Sequence, residues 1–200
     1  MDALPFTAQL INVFAAVLLL LSFAMLAQRR ILSLVDLLAW QGAALVGSTL
    51  AVAYSTGQQH LYYSAALTLA LKVILVPLVL HRLIRRLAVR WDTEPLLNIP
   101  ATMIVGLALV VFSFGLAQPI SALASTVTRS TLGIAIAVVM LSFLMMITRR
   151  KAISQVIGFL AMENGLFFAA TSATYGMPMV VELGVALDVL VGVVILGIFF

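Results

Sequence analysis

The chain contains no cysteine, which excludes disulfides, thiolate-held metals and cysteine-ligated iron–sulfur clusters, and leaves the redox compartment unread. Charge is scarce too: charged residues fill 9% of the 200 positions, against roughly a quarter in soluble globular domains. Histidine occurs twice, as His60 and His81, at different depths of the apolar pattern and so unable to share a site. Zinc-ligand spacing, a Ser/His/Asp set and a glycine-rich phosphate loop are all missing. A soluble-type enzyme therefore has no support, and no catalytic residue, cofactor site or metal site is assigned to the chain. Met140, Met145 and Met146 read as adaptable packing rather than metal ligands.

What the chain has in abundance is apolar length. Hydrophobic residues make up 64% of it, and mean hydropathy is +1.22. Seven segments, about 7–27, 31–55, 61–84, 100–120, 130–148, 152–174 and 178–199, are long enough to cross a bilayer. Backbone polar groups in lipid must be satisfied within each segment, so the expected fold is an all-α integral membrane protein of about seven transmembrane helices. No basic residue precedes the first apolar run, so that helix is expected to be retained rather than cleaved.

Nine of the eleven basic residues fall in three short loops: Arg29 and Arg30; Arg82, Arg85, Arg86 and Arg90; Arg149, Arg150 and Lys151. They alternate with loops holding only Arg129. The net charge of +4 and a pI near 10.0 therefore read as topology signals, giving the N-terminus outside and the C-terminus inside. The proline-bearing, acidic stretch 91–100, WDTEPLLNIP, is a candidate linker between a three-helix block, 1–90, and a four-helix block, 101–200.

Ionisable residues inside such spans are expensive, and by default functional. Lys72 lies mid-span, five residues before Pro77. It is either a permanently paired lysine holding helices together or one that titrates. Pro77 is either an inert bend or a site where a freed carbonyl holds water. Glu163 sits about 16 Å into the sixth span, and Asp188 about ten residues into the seventh. These two carboxylates thus share a depth with Lys72, an arrangement suited to lateral proton transfer or to structural pairing. Glu182 is a helix-end residue or an outward exit. Asp36 is a headgroup-level residue or an access point from the cytoplasm, with Gln41 deeper on the same span. The first span is assigned no chemistry, and Gly106, Ser113 and Gly115 suggest a close-packing face on the fourth.

The motifs LAMENG at 160–165, MVVELGVALD at 179–188 and TLALKVILVPL at 68–78, with Gln41 on the second span, resemble the hydrogenase-4 component E family. That family provides a membrane subunit of formate hydrogenlyase-type complexes containing an energy-converting nickel–iron hydrogenase. The last three spans, 130–200, are more distantly similar to the K subunit of respiratory complex I and the C subunit of Mrp-type cation antiporters. Glu163 and Asp188 match that subunit's two buried glutamates, with aspartate replacing the second.

The resemblance implies a non-catalytic subunit of a complex-I-like membrane arm in the bacterial cytoplasmic (inner) membrane. It would carry no cofactor, and would link antiporter-like subunits to the redox-proximal subunit. A structural linker without proton transfer and a subunit of a Na+/H+ antiporter complex are the alternatives. A stand-alone transporter would favour an internal repeat, and none is evident between the two blocks.

Overall fold

The computed structural model describes residues 6–87, 98–121 and 126–173. The expected seventh span with Glu182 and Asp188, and residues 91–97 of the expected linker, lie outside them. The described residues form α1 (Phe6–Ala27), α2 (Ile31–Thr56), α3 (Gln59–Thr68), a π-helical segment (Leu69–Leu75), α4 (Val76–Leu87), α5 (Ile99–Ser121), α6 (Thr126–Thr148) and α7 (Ala152–Ala173). No strand occurs among them. Six stretches are long and apolar enough to span a membrane, with α3, the π segment and α4 acting as one, Gln59–Arg86. They coincide with the first six expected spans to within a few residues.

The described connections, α1 to α2, α2 to α3 and α6 to α7, are only a few residues long, so those helices lie antiparallel. The α2–α3 turn is made at Gly57, whose φ of 68° suits glycine and whose N–H closes on the Ala53 carbonyl at 2.9 Å. In the third span the ladder changes register. The Val76 N–H bonds the Leu71 carbonyl, five residues back. Pro77 has no N–H with which to make the next such bond, to Lys72, and its ring crowds the preceding turn. The widened turn accommodates that ring.

Two apolar clusters fill the bundle. One gathers Met25 and Leu26 of α1, Ile31 to Leu38 of α2, Val76 to Ile84 of α4, Leu141 to Met145 of α6 and Ile157 to Ala161 of α7. The other takes Ile11 to Leu18, Ala44 to Ala53, Leu61, Ala135, Val138 and Phe167 with Phe168. On α1, α2, the third span and α7, the residues between the clusters include Ser22, Gln41, Lys72, Glu163 and Asn164, all buried. A polar layer therefore crosses the bundle at mid-height.

Two packing expectations change. Gly106 does pack closely, since a Cβ there would lie 3.1 Å from Leu141, but nothing approaches Gly115 within 4 Å among the described residues. Arg149 does more than mark a loop. It is 3% exposed, and its Nη2 donates to the carbonyls of Met25 (3.3 Å), Leu26 (3.1 Å) and Gln28 (2.6 Å). One buried guanidinium thus satisfies the carbonyl end of α1, where helices leave acceptors unpaired.

Candidate functional site

The centre of the polar layer is a lysine–glutamate pair. Lys72 Nζ lies 3.8 Å from Glu163 Oε1, and each side chain is 7% exposed. The ammonium also stands 5.7 Å from the centroid of the Phe167 ring, a cation–π contact. Phe167 follows Glu163 by one helical turn and so shares its face of α7. The opposite wall is α2 at Gly42, where an added Cβ would meet Lys72 Cβ and Val73 Cγ2 at 3.4 Å. Glycine there lets the π segment rest close to α2, which aims the lysine at α7 rather than at lipid.

Beside the pair runs a directed chain of hydrogen bonds. The Leu18 carbonyl can only accept, so Ser22 Oγ donates to it at 2.9 Å. Gln41 Nε2 donates to Ser22 Oγ at 3.0 Å, and Asn164 Nδ2 to Gln41 Oε1 at 3.2 Å. Each donor follows from the one before it, so a backbone carbonyl of α1 dictates the orientation of an amide on α7. The Asn164 carboxamide oxygen is left buried, with no hydrogen-bond partner among the described residues. Asn164 also lines a small pocket, with Leu38, Leu71, Lys72, Val76 and Leu160, that has room for about one water molecule.

Asp36 stands apart from this layer, about a turn and a half along α2 from Gln41. Its carboxylate is 62% exposed and lies 3.3 Å from His81 Nε2 of α4. His81 Nδ1 is 2.9 Å from the Pro77 carbonyl; because a carbonyl only accepts, Nδ1 carries a proton.

Of the residues singled out from sequence, the structure brings Lys72, Glu163 and Gln41 to one level and leaves Asp36 at the end of the bundle. Glu182 and Asp188 lie outside the described residues. Sequence reasoning missed Asn164 as the amide joining Gln41 to α7, Ser22 on a span assigned no chemistry, and His81 as partner of Asp36. The last was available from hairpin register: counting back equally from the Gly57 turn sets Asp36 opposite the first turns of α4.

Among curated proteins, the chain is 34% identical over 190 residues to Uncharacterized protein Rv0085 of Mycobacterium tuberculosis, covering 94% of this chain and 86% of that one. The chain belongs to the family of that mycobacterial protein. It is also 28% identical over 140 residues to hydrogenase-4 component E of Escherichia coli, covering 70% of this chain and 64% of that protein, and equally to the Shigella flexneri protein of the same name. No family model matches the chain, and no solved structure is significantly similar. The similarity to hydrogenase-4 component E is distant, and joins a chain with six stretches long and apolar enough to span a membrane, among its described residues, to a hydrogenase component.

Proposed function

We propose that this chain is a non-catalytic subunit of the membrane arm of a complex-I-like assembly of the energy-converting hydrogenase type. In it, Lys72, Glu163 and Asp188 relay protons laterally across the bundle. The observation that carries this reading is the Lys72–Glu163 pair: base and acid 3.8 Å apart, at mid-span, on a π-helical turn of the kind that recurs at functional sites. A mobile ammonium facing a carboxylate in a low-dielectric setting exchanges a proton when a third group changes charge nearby. Asp188 would be that group, on a seventh span, with Glu182 as an outward exit and Asp36 as access from the cytoplasm.

The similarity to hydrogenase-4 component E supports the assembly class, and through it a bacterial inner-membrane location; the basic loops support an N-terminus outside. On this reading the last three spans correspond to the complex I K subunit. Neighbours would be large antiporter-like subunits and the redox-proximal subunit, which holds the electron chemistry. The test is a pair of variants, Glu163→Gln and Asp188→Asn, in inverted membrane vesicles carrying the assembly. Substrate-driven acidification, read by quenching of a pH-sensitive dye, should fall about tenfold or more in each, while the assembly still migrates intact on a native gel. Normal acidification in both variants refutes the relay.

A further inference from the structure

Hydroxyl groups in these helices follow a rule with informative exceptions. Ser22, Thr49, Ser142, Thr148, Thr171 and Ser172 each donate to the carbonyl four residues back in their own helix, the usual solution for a hydroxyl in an apolar setting. Ser48, Ser64, Thr68 and Ser154 do not. They are 0%, 6%, 1% and 0% exposed, and their oxygens have no hydrogen-bond partner among the described residues. A buried hydroxyl left unbonded costs about 1–3 kcal/mol, and two of the four, Ser64 and Thr68, stand one turn apart on one helix, so that pair calls for an occupant.

Their placement says what it is. Ser64, Thr68 and Lys72 follow one another at intervals of four residues, so they rise along one face of the third span. Gly42 sits opposite Lys72 and Val73, so the row runs along the Gly42 face of α2; Ser48, six residues on and so about 120° round that helix, lies on the Gln41 face instead. The row points to the Gly57 turn, where Gln58 Oε1 is a further buried acceptor with no partner among the described residues. Around that turn Tyr54 and Tyr63 are 77% and 76% exposed, the aromatic signature of a membrane–water boundary. Successive rungs are about 6 Å apart along the helix, the gap that one water spans with two hydrogen bonds of about 2.8 Å each.

We propose that Ser64 and Thr68 line a single-file water path between α2 and α3 that connects Lys72 to the membrane surface at the Gly57 turn. Its role rests on the reading of Lys72 as a proton carrier; its existence does not. The ligand is water, and the hydroxyls, which both donate and accept, hold it without fixing its direction. The pocket at Asn164 lies on the other side of Lys72, toward Leu38 and Val76. Lys72 thus stands between the path and that pocket.

The chain has no cysteine, so single thiols can be read without background. Ser64→Cys and Thr68→Cys, each in the full chain in native vesicles, are exposed to Ag+ and to 2-aminoethyl methanethiosulfonate. Thiols left unreacted are counted with a maleimide dye after denaturation. Ala65→Cys and Val52→Cys, which replace equally buried apolar residues of the same helices, are the controls. The two hydroxyl positions should react with Ag+ about tenfold or more faster than the controls, because a wetted thiol ionises and a dry one does not. Equal rates overturn the path. Cysteine nearly matches serine in volume, so Ser64→Cys decides the matter if Thr68→Cys does not accumulate. Fast labelling with normal pumping in Glu163→Gln leaves the path standing and removes the relay; slow labelling with pumping that needs Glu163 does the reverse.

Discussion

At the scale of single residues, the amides are anchors rather than carriers. Primary amides do not release protons at ordinary pH, so the chain from Leu18 through Ser22 and Gln41 to Asn164 cannot conduct them. It fixes which way Asn164 faces, and with it the wall of the pocket next to Lys72. Gln41 is the link on which both ends depend, as it accepts from one neighbour and donates to the other. Gln41→Leu keeps the bulk and removes both bonds. Bonds of this kind inside membranes average about 0.6 kcal/mol each, and the stranded Asn164 amide adds a desolvation term. The variant is therefore expected to lose about 1–2 kcal/mol in reversible detergent unfolding. Asn164→Leu made on top of it should cost less than it does alone, since the two share a bond.

At the scale of elements, the third span differs from the others because Pro77 interrupts its ladder just after Lys72. Pro77→Ala restores an N–H and removes the ring, so the π segment can relax to α-helical register. The direct effect of removing an interior proline is stabilising by about 3 kcal/mol, and a rise in melting temperature is expected. The relaxed turn would swing Lys72 off its line to Glu163, so acidification should fall although the protein is more stable. A variant that is both more stable and fully active would show that the π segment is not what aims the lysine.

The spans themselves, and the common depth of Lys72 and Glu163, were legible in the sequence because charge in an apolar run stands out and 1.5 Å per residue fixes its height. The register change was not, since hydrogen-bond register leaves no periodic trace and Pro77 alone admits several outcomes. Ser22 was invisible for a related reason: a hydroxyl that can bond its own helix looks inert until a neighbour uses its second capacity. Arg149 was hidden among loop arginines, because composition marks a topology signal and a buried clasp identically.

At the scale of the whole molecule, the question is whether the polar layer exists to hold the bundle or to move charge. The two apolar clusters above and below it already bind the same helices together. A buried ion pair adds little to that: replacing such a pair with apolar or neutral groups of similar size is often neutral, or stabilising by about 1–4 kcal/mol, whereas removing one partner costs about 3–5 kcal/mol. The two purposes therefore separate in a double variant. Lys72→Met alone and Glu163→Gln alone should each lower the melting temperature. Lys72→Met with Glu163→Gln should recover most of the loss, and the assembly should run at its normal position on a native gel. If the pair only fastens helices, proton pumping returns with stability. If the pair carries protons, the double variant assembles and stays silent, because a thioether and an amide can fill the layer but cannot accept and release a proton there. The second outcome is the one expected here, measured as dye quenching in the same vesicles whose assembly is scored on the gel.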